Sequence, residues 1–106
     1  ILQPDSGWEV YAVEQEGGVV AFVSIRFNHE TKSGEVGLNA VDPRYANRGI
    51  GTAMYEFAVD RMKRAGMRVA TVSTGGDPSH APARRAYRKA GFTSEIPSVW
   101  MCRLIE

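Results

Sequence analysis

At Asp42-Pro43 the hydrophobic period of this sequence changes, and that change constrains the fold more than any other feature. Before it, apolar residues alternate as in a strand; after it, they recur at helical spacing. Trp8, Val10 and Ala12 alternate with Glu9, Tyr11 and Val13, and Glu16-Gly17-Gly18 supplies a turn. Val19 to Phe27 is β-branched and aromatic, which predicts a well-buried strand. Asn28 to Gly34 is a polar connection. Glu35 to Val41 alternates again, with Val36, Leu38 and Ala40 expected on one face. Three strands with short links imply an antiparallel meander.

Beyond the change, Ile50, Ala53, Met54, Phe57, Ala58, Arg61, Met62 and Ala65 follow a helical stripe that Gly66 can end. Arg68 to Ser73 reads as a short strand, so strand, helix and strand follow in order and imply a parallel pair. Thr74 to Ser79 is a glycine-rich loop. A second helix is expected from about Pro82 to Ala90, with Ala83, Ala86, Tyr87 and Ala90 inward and Gly91 as its stop. Phe92 to Glu95 and Val99 to Ile105 read as two final strands around Pro97. The expected fold is α+β: a mixed central β-sheet, an antiparallel meander followed by one parallel βαβ crossover, with two helices.

Composition narrows the functional classes. A chain of 106 residues is expected to form one domain, 1–106. A net charge of +1 gives no strong field toward nucleic acid or an anionic membrane. Cys102 is the only cysteine, so an internal disulfide and the four-cysteine zinc sites are excluded. With no long apolar run and no leader pattern, the expected location is cytoplasmic, away from membranes. The chain starts at Ile1 rather than Met, which is compatible with a trimmed or processed product.

The chemistry-bearing feature is Arg48-Gly49-Ile50-Gly51-Thr52, between a strand and a helix. Amides at a helix start lack internal partners and carry the positive end of the dipole. Glycines let an anion approach them closely, so this turn suits a phosphate or pyrophosphate; equally, it can simply start a helix. A P-loop would need Gly-Lys-Ser/Thr, which is missing. A dinucleotide fold would need a third spaced glycine and an acidic end to the next strand, where Thr71-Val72-Ser73-Thr74 stands instead.

The run Val41-Asp42-Pro43-Arg44-Tyr45-Ala46-Asn47-Arg48-Gly49-Ile50-Gly51-Thr52 resembles the acetyl-CoA pyrophosphate loop of the Gcn5-related N-acetyltransferases, the GNAT family. The run from Ala83 through Tyr87 to Gly91-Phe92 resembles the same family's second motif, usually Asn-x-x-Ala-x-x-Leu-Tyr-x-x-x-Gly-Phe. Ala46 and Asn47 depart from the first pattern, and His80 stands in place of the usual asparagine of the second. The resemblance covers roughly Trp8 to the C-terminus and lacks the family's opening strand and two helices. It implies acetyl-CoA as co-substrate, held by Arg48, Gly49, Ile50, Gly51 and Thr52, with a weaker role for His80. It also implies that the pantetheine arm pairs with the backbone of Asn39, Ala40 and Val41, the Asn39 N–H donating to the thioester carbonyl.

Acetyl transfer to an amine needs a neutral amine, a stabilised oxyanion and a protonated leaving sulfur. By resemblance Tyr87 lies near the cofactor sulfur, as a cofactor contact and the candidate acid, and its place on the apolar stripe fits an ordinary core tyrosine as well. Glu35 is the candidate base, 13 positions (48 − 35) before Arg48, a spacing like that of the catalytic glutamate in the histone-modifying branch. A solvated glutamate at a strand start is the competing description. Asp42 is expected to open a turn, and Asp77 or Ser79 to cap the second helix beside His80. Arg84, Arg85, Arg88 and Lys89 form a solvated face that, in the family's orientation, meets the 3′-phosphate.

The expected activity is transfer of an acetyl group to a primary amine of a small molecule or a protein. The alternative is a non-catalytic acyl-CoA-binding or interaction module of the same fold. A short front end is also compatible with a homodimer.

Overall fold

The computed structural model describes residues 7–76 and 78–105. Strands β1 (Trp8–Gln15), β2 (Gly18–Asn28) and β3 (Ser33–Val41) form the meander. Helix α1 (Ile50–Arg64) leads to β4 (Val69–Val72), and helix α2 (Ala81–Lys89) follows. The sheet runs β1-β2-β3-β4, antiparallel up to β3 and parallel between β3 and β4. This is the mixed α+β sheet that the change of period predicts. No helix among the described residues is long and apolar enough to cross a membrane.

The core lies between the sheet and α1. Val23 and Ile25 of β2 meet Met54, Ala58 and Met62 of α1, all nearly inaccessible to water. Each such large side chain contributes roughly 1.5–3 kcal/mol by leaving water. The buried face of α1 is Ile50, Met54, Tyr55, Ala58 and Met62. Tyr55 thus joins a stripe in which Phe57 was expected; Phe57 is 45% exposed and packs edge-on against Tyr11 at 4.9 Å. Arg61 ties α1 to β1 through Glu9 (2.8 Å) and the Tyr11 hydroxyl (3.2 Å).

Two expectations fail for identifiable reasons. Val36, Leu38 and Ala40 do not share a face, because a bulge interrupts β3. Val23 pairs with Asn39 and Ile25 with Val36, so Gly37 and Leu38 together oppose Ser24. Val36 is buried while Leu38 is 67% exposed, and the side chains of Asn39 and Val41 turn toward α1 instead. The buried Ser24 hydroxyl donates to the Leu38 carbonyl at 2.8 Å, and Asn39 Nδ2 donates to the Gly37 carbonyl at 2.9 Å. These two bonds hold the bulge.

The second correction is at the C-terminus, where neither Phe92 to Glu95 nor Val99 to Ile105 forms a strand. Ile96, Trp100 and Ile105 are more than 80% exposed. An apolar, strand-favouring composition makes a strand only when a neighbouring edge supplies ladder bonds.

Close approach also explains Gly34. An ideal Cβ there would lie 2.5 Å from Met62 Cγ and 2.6 Å from its Sδ, in the core. Gly34→Ala should therefore destabilise the fold by roughly 1–3 kcal/mol in urea unfolding. Gly18→Ala, where nothing lies within 4 Å, should stay within about 0.5 kcal/mol of the parent. Equal effects from the two would contradict this packing.

Candidate functional site

The site is built where β3 and β4 part. Their parallel pairing covers Ser33↔Val69 to Val36↔Val72 and then stops, while β3 continues beside β2 to Val41. Among the described residues, the backbone of residues 37–41 therefore has a strand neighbour on one side only. Asn39, Ala40 and Val41 lie on this stretch. Its end leads through a 3-10 turn, Pro43–Tyr45, directly into the glycine turn. Asp42 opens that turn: its carboxylate accepts the Arg44 amide at 2.9 Å and the Arg44 guanidinium at 3.2 and 2.8 Å. The bonded Arg44 holds the Asp42 carboxyl below the ordinary range.

Asn47 (φ 62°) and Gly49 (φ 81°) both adopt the left-handed conformation before α1 begins. A side chain is strained at such an angle, which is why glycine suits position 49. Left-handed residues spaced in this way turn successive N–H groups toward one concavity, an anion-binding arrangement. Gly49 caps α1 without any side-chain bond, so the first amides of Ile50, Gly51 and Thr52 keep free donors. At Gly51 only Tyr55 and Val41 come within 4 Å of an ideal Cβ, each at 3.9 Å. Arg48 makes no ion pair among the described residues; its guanidinium lies over the Tyr45 ring, 4.9 Å from the centroid. One uncommitted cation beside a row of amides suits a pyrophosphate.

Tyr87 reaches the site from α2. It is 8% exposed, and its ring lies 4.7 Å from Tyr55 and 6.2 Å from Phe92. The end of α2 fixes its backbone. Gly91 turns left-handed at φ 98°, so the Phe92 amide donates back to the Tyr87 carbonyl at 3.0 Å and the Gly91 amide to Arg88. This is a Schellman stop with its usual apolar contact, here Phe92 against Tyr87. The Gly91-Phe92 pair of the sequence motif is therefore what holds the tyrosine in place.

Glu35 is placed elsewhere. It pairs in register with Arg26 of β2 and Thr71 of β4, at the point where the strands begin to part. Its carboxylate accepts from Arg26 at 2.6 Å, with both side chains about half exposed. Arg26 in turn lies over the Trp8 ring at 4.5 Å. Glu35 lines an open depression of about 590 Å³ with His29, Ser33 and Thr71, whereas Tyr87 lines one of about 400 Å³ with Thr74, Gly75 and Arg84. The two candidate catalytic side chains thus stand in different hollows, which share Thr71 of β4.

His80 is the residue before α2 and gives that helix no side-chain cap; its Nδ1 lies 3.3 Å from the Ser79 hydroxyl. Asp77, the other expected capping residue, lies outside the described residues. Arg84 donates to the Gly75 carbonyl at 2.6 Å, and Arg88 pairs with Glu95 at 3.1 Å. The basic face of α2 is thus partly committed to the chain around it.

Sequence reasoning missed Tyr55. This residue lies one turn after Gly51 and is 5% exposed; its hydroxyl donates to Asn39 Oδ1 at 2.6 Å. A buried hydroxyl needs such a partner, and the available signal was a tyrosine inside an otherwise aliphatic helical stripe. Burial, then the neighbouring Tyr87, pushes the Tyr55 phenol well above the ordinary range. Above pH about 10 the unfolded chain ionises this phenol and the folded chain does not, so it lowers stability as pH rises. Urea unfolding at pH about 8 and about 11 should show a larger loss for the parent than for Tyr55→Phe. Equal losses would contradict the burial.

Comparison with known proteins agrees with this geometry. The profile of the acetyltransferase (GNAT) family matches residues 2–92. A mycothiol acetyltransferase of Sanguibacter keddieii is 30% identical over 95 residues, covering 85% of this chain and 30% of that protein. An S-(2-succino)cysteine N-acetyltransferase of Bacillus subtilis is 26% identical over 87 residues, covering 77% of this chain and 53% of its own. The chain therefore spans about a third to a half of the curated relatives it matches. Among solved structures, an aminoglycoside acetyltransferase from an uncultured soil sample, in complex with sisomicin, superposes with a TM-score of 0.80 at 16% identity, over 97% of this chain and 69% of that one. That likeness concerns the fold, and the family match concerns the sequence. Together with the parted strands and the glycine turn, they establish that this chain belongs to the acetyltransferase (GNAT) family.

Proposed function

We propose that the chain carries the acetyl-CoA site of an N-acetyltransferase, which moves the acetyl group to a primary amine by direct attack on the thioester. Acetyltransferases of this family take the group from acetyl-CoA. The observation that carries the reading is the parting of β3 from β4 beside the amide-lined turn that opens α1. A pantetheine arm in that gap would pair with the unmatched backbone of Asn39, Ala40 and Val41, as an added strand does. The amides of Gly49, Ile50, Gly51 and Thr52, with Arg48, would hold the pyrophosphate. His80, before α2, would take a lesser part on the cofactor side.

The reaction needs the thioester in this gap to be approached from both sheet faces. The amine nitrogen attacks the thioester carbon from one side, and its carbonyl oxygen, now negative, takes the Asn39 N–H. As the carbon–sulfur bond breaks, Tyr87 gives its proton to the thiolate from the helical face. The attacking nitrogen gives up its proton on the other face, to Glu35 or to water beside it. Glu35 serves there only if Arg26 releases it, since the two are paired in the structure. For the acceptor, the relatives' names point to small molecules, which favours a small amine over a protein side chain.

The second reading is an acyl-CoA-binding module without catalysis. The observation favouring it is the same Arg26–Glu35 pair, which occupies the candidate base. Release of free thiol from acetyl-CoA, with a panel of small amines, separates the two. The enzyme reading predicts turnover and a kcat about 10²-fold lower in Tyr87→Phe, with KM for acetyl-CoA nearly unchanged. Binding without thiol release for any amine would favour the module.

A further inference from the structure

We propose that Tyr55 is a positioning residue for acyl transfer: its buried hydroxyl sets the Asn39 wall of the cleft, while its ring packs against the Tyr87 wall. The inference rests on the acetyltransferase reading above. Tyr55 is where three parts of the site meet. Its ring lies 3.9 Å from the ideal Cβ position of Gly51, on the pyrophosphate turn. That ring also contacts Tyr87 at 4.7 Å, and its hydroxyl reaches Asn39 at 2.6 Å.

A phenol has one proton, and Tyr55 gives it to Asn39 Oδ1. The carboxamide is thereby oriented with its NH₂ toward the Gly37 carbonyl, 2.9 Å away, at the β3 bulge. Chain Tyr55–Asn39–Gly37 thus links α1 to the backbone stretch that parts from β4. Having spent its proton on Asn39, Tyr55 can offer Tyr87 only an acceptor. Against Tyr87 it works through its ring, 4.7 Å between centroids. Because burial keeps the Tyr55 phenol protonated, it is suited to hold a position rather than to exchange protons. A phenylalanine would keep the ring against Tyr87 and lose the bond to Asn39.

The test compares the parent, Tyr55→Phe, Asn39→Ala and their double variant in steady-state thiol release, with calorimetric binding of acetyl-CoA alongside. Tyr55→Phe should lower kcat about tenfold, with acetyl-CoA affinity within about twofold of the parent and Tm lower by no more than about 5 °C. The double variant should be no slower than Asn39→Ala alone by more than about twofold, since the Tyr55 hydroxyl acts through Asn39. Asn39→Ala should reproduce the Tyr55→Phe loss in kcat. An unchanged kcat in Tyr55→Phe, or full multiplication of the two losses in the double variant, would overturn the proposal while leaving the enzyme reading intact. A parent that binds acetyl-CoA but releases no thiol with any amine would overturn both.

Discussion

β3 keeps its ladder with β2 to Val41 yet leaves β4 after Val36, and most of the site follows from that unequal pairing. Backbone N–H and C=O groups demand partners, and among the described residues those on the abandoned side of residues 37–41 find none in another strand. The parting is held by local chemistry. Ser24 and Asn39 bond the carbonyls of the bulge, and Tyr55 fastens Asn39 to α1. Because α1 starts a few residues beyond Val41, the same geometry sets its unpaired N-terminal amides at the end of the open backbone. An extended ligand with an amide arm and a pyrophosphate end matches both parts.

The order of elements was legible because hydrophobic period reports directly on local structure. Alternation in Trp8 to Val41 gave three strands, and the stripe from Ile50 gave α1 with nearly its observed limits. The glycine turn was legible too, since Gly49 has the positive φ that its position between strand and helix demands. What stayed hidden depends on contacts between distant residues. The β3 bulge is set by Ser24, fourteen positions from Leu38, so alternation in Val36, Leu38 and Ala40 misled. Apolar residues after Phe92 were read as strands although no neighbouring edge pairs with them.

The candidate site shows the same division. Motif matching brought Arg48 to Thr52, Asn39 to Val41 and Tyr87 to attention, and the structure places them around the β3 terminus and α2. It could not reveal that Arg26 engages Glu35, because that bond crosses from one strand to the next. Nor could it reveal Tyr55, whose polar role exists only once α1 lies on β3. The sheet thereby carries the candidate cofactor residues on its helical side and the Arg26–Glu35 pair on the other. In the proposed reaction those two sides become the donor and acceptor approaches to one gap.

The central claim is that acetyl-CoA lies along the unmatched edge of β3 and ends at the start of α1. Amide hydrogen exchange, with and without saturating acetyl-CoA, tests it most directly. The account predicts slower exchange at amides of residues 37–41 that face away from β2 and at Gly49 to Thr52, with β1 unaffected. Binding that protects neither stretch, or protects only residues outside this cleft, would contradict it.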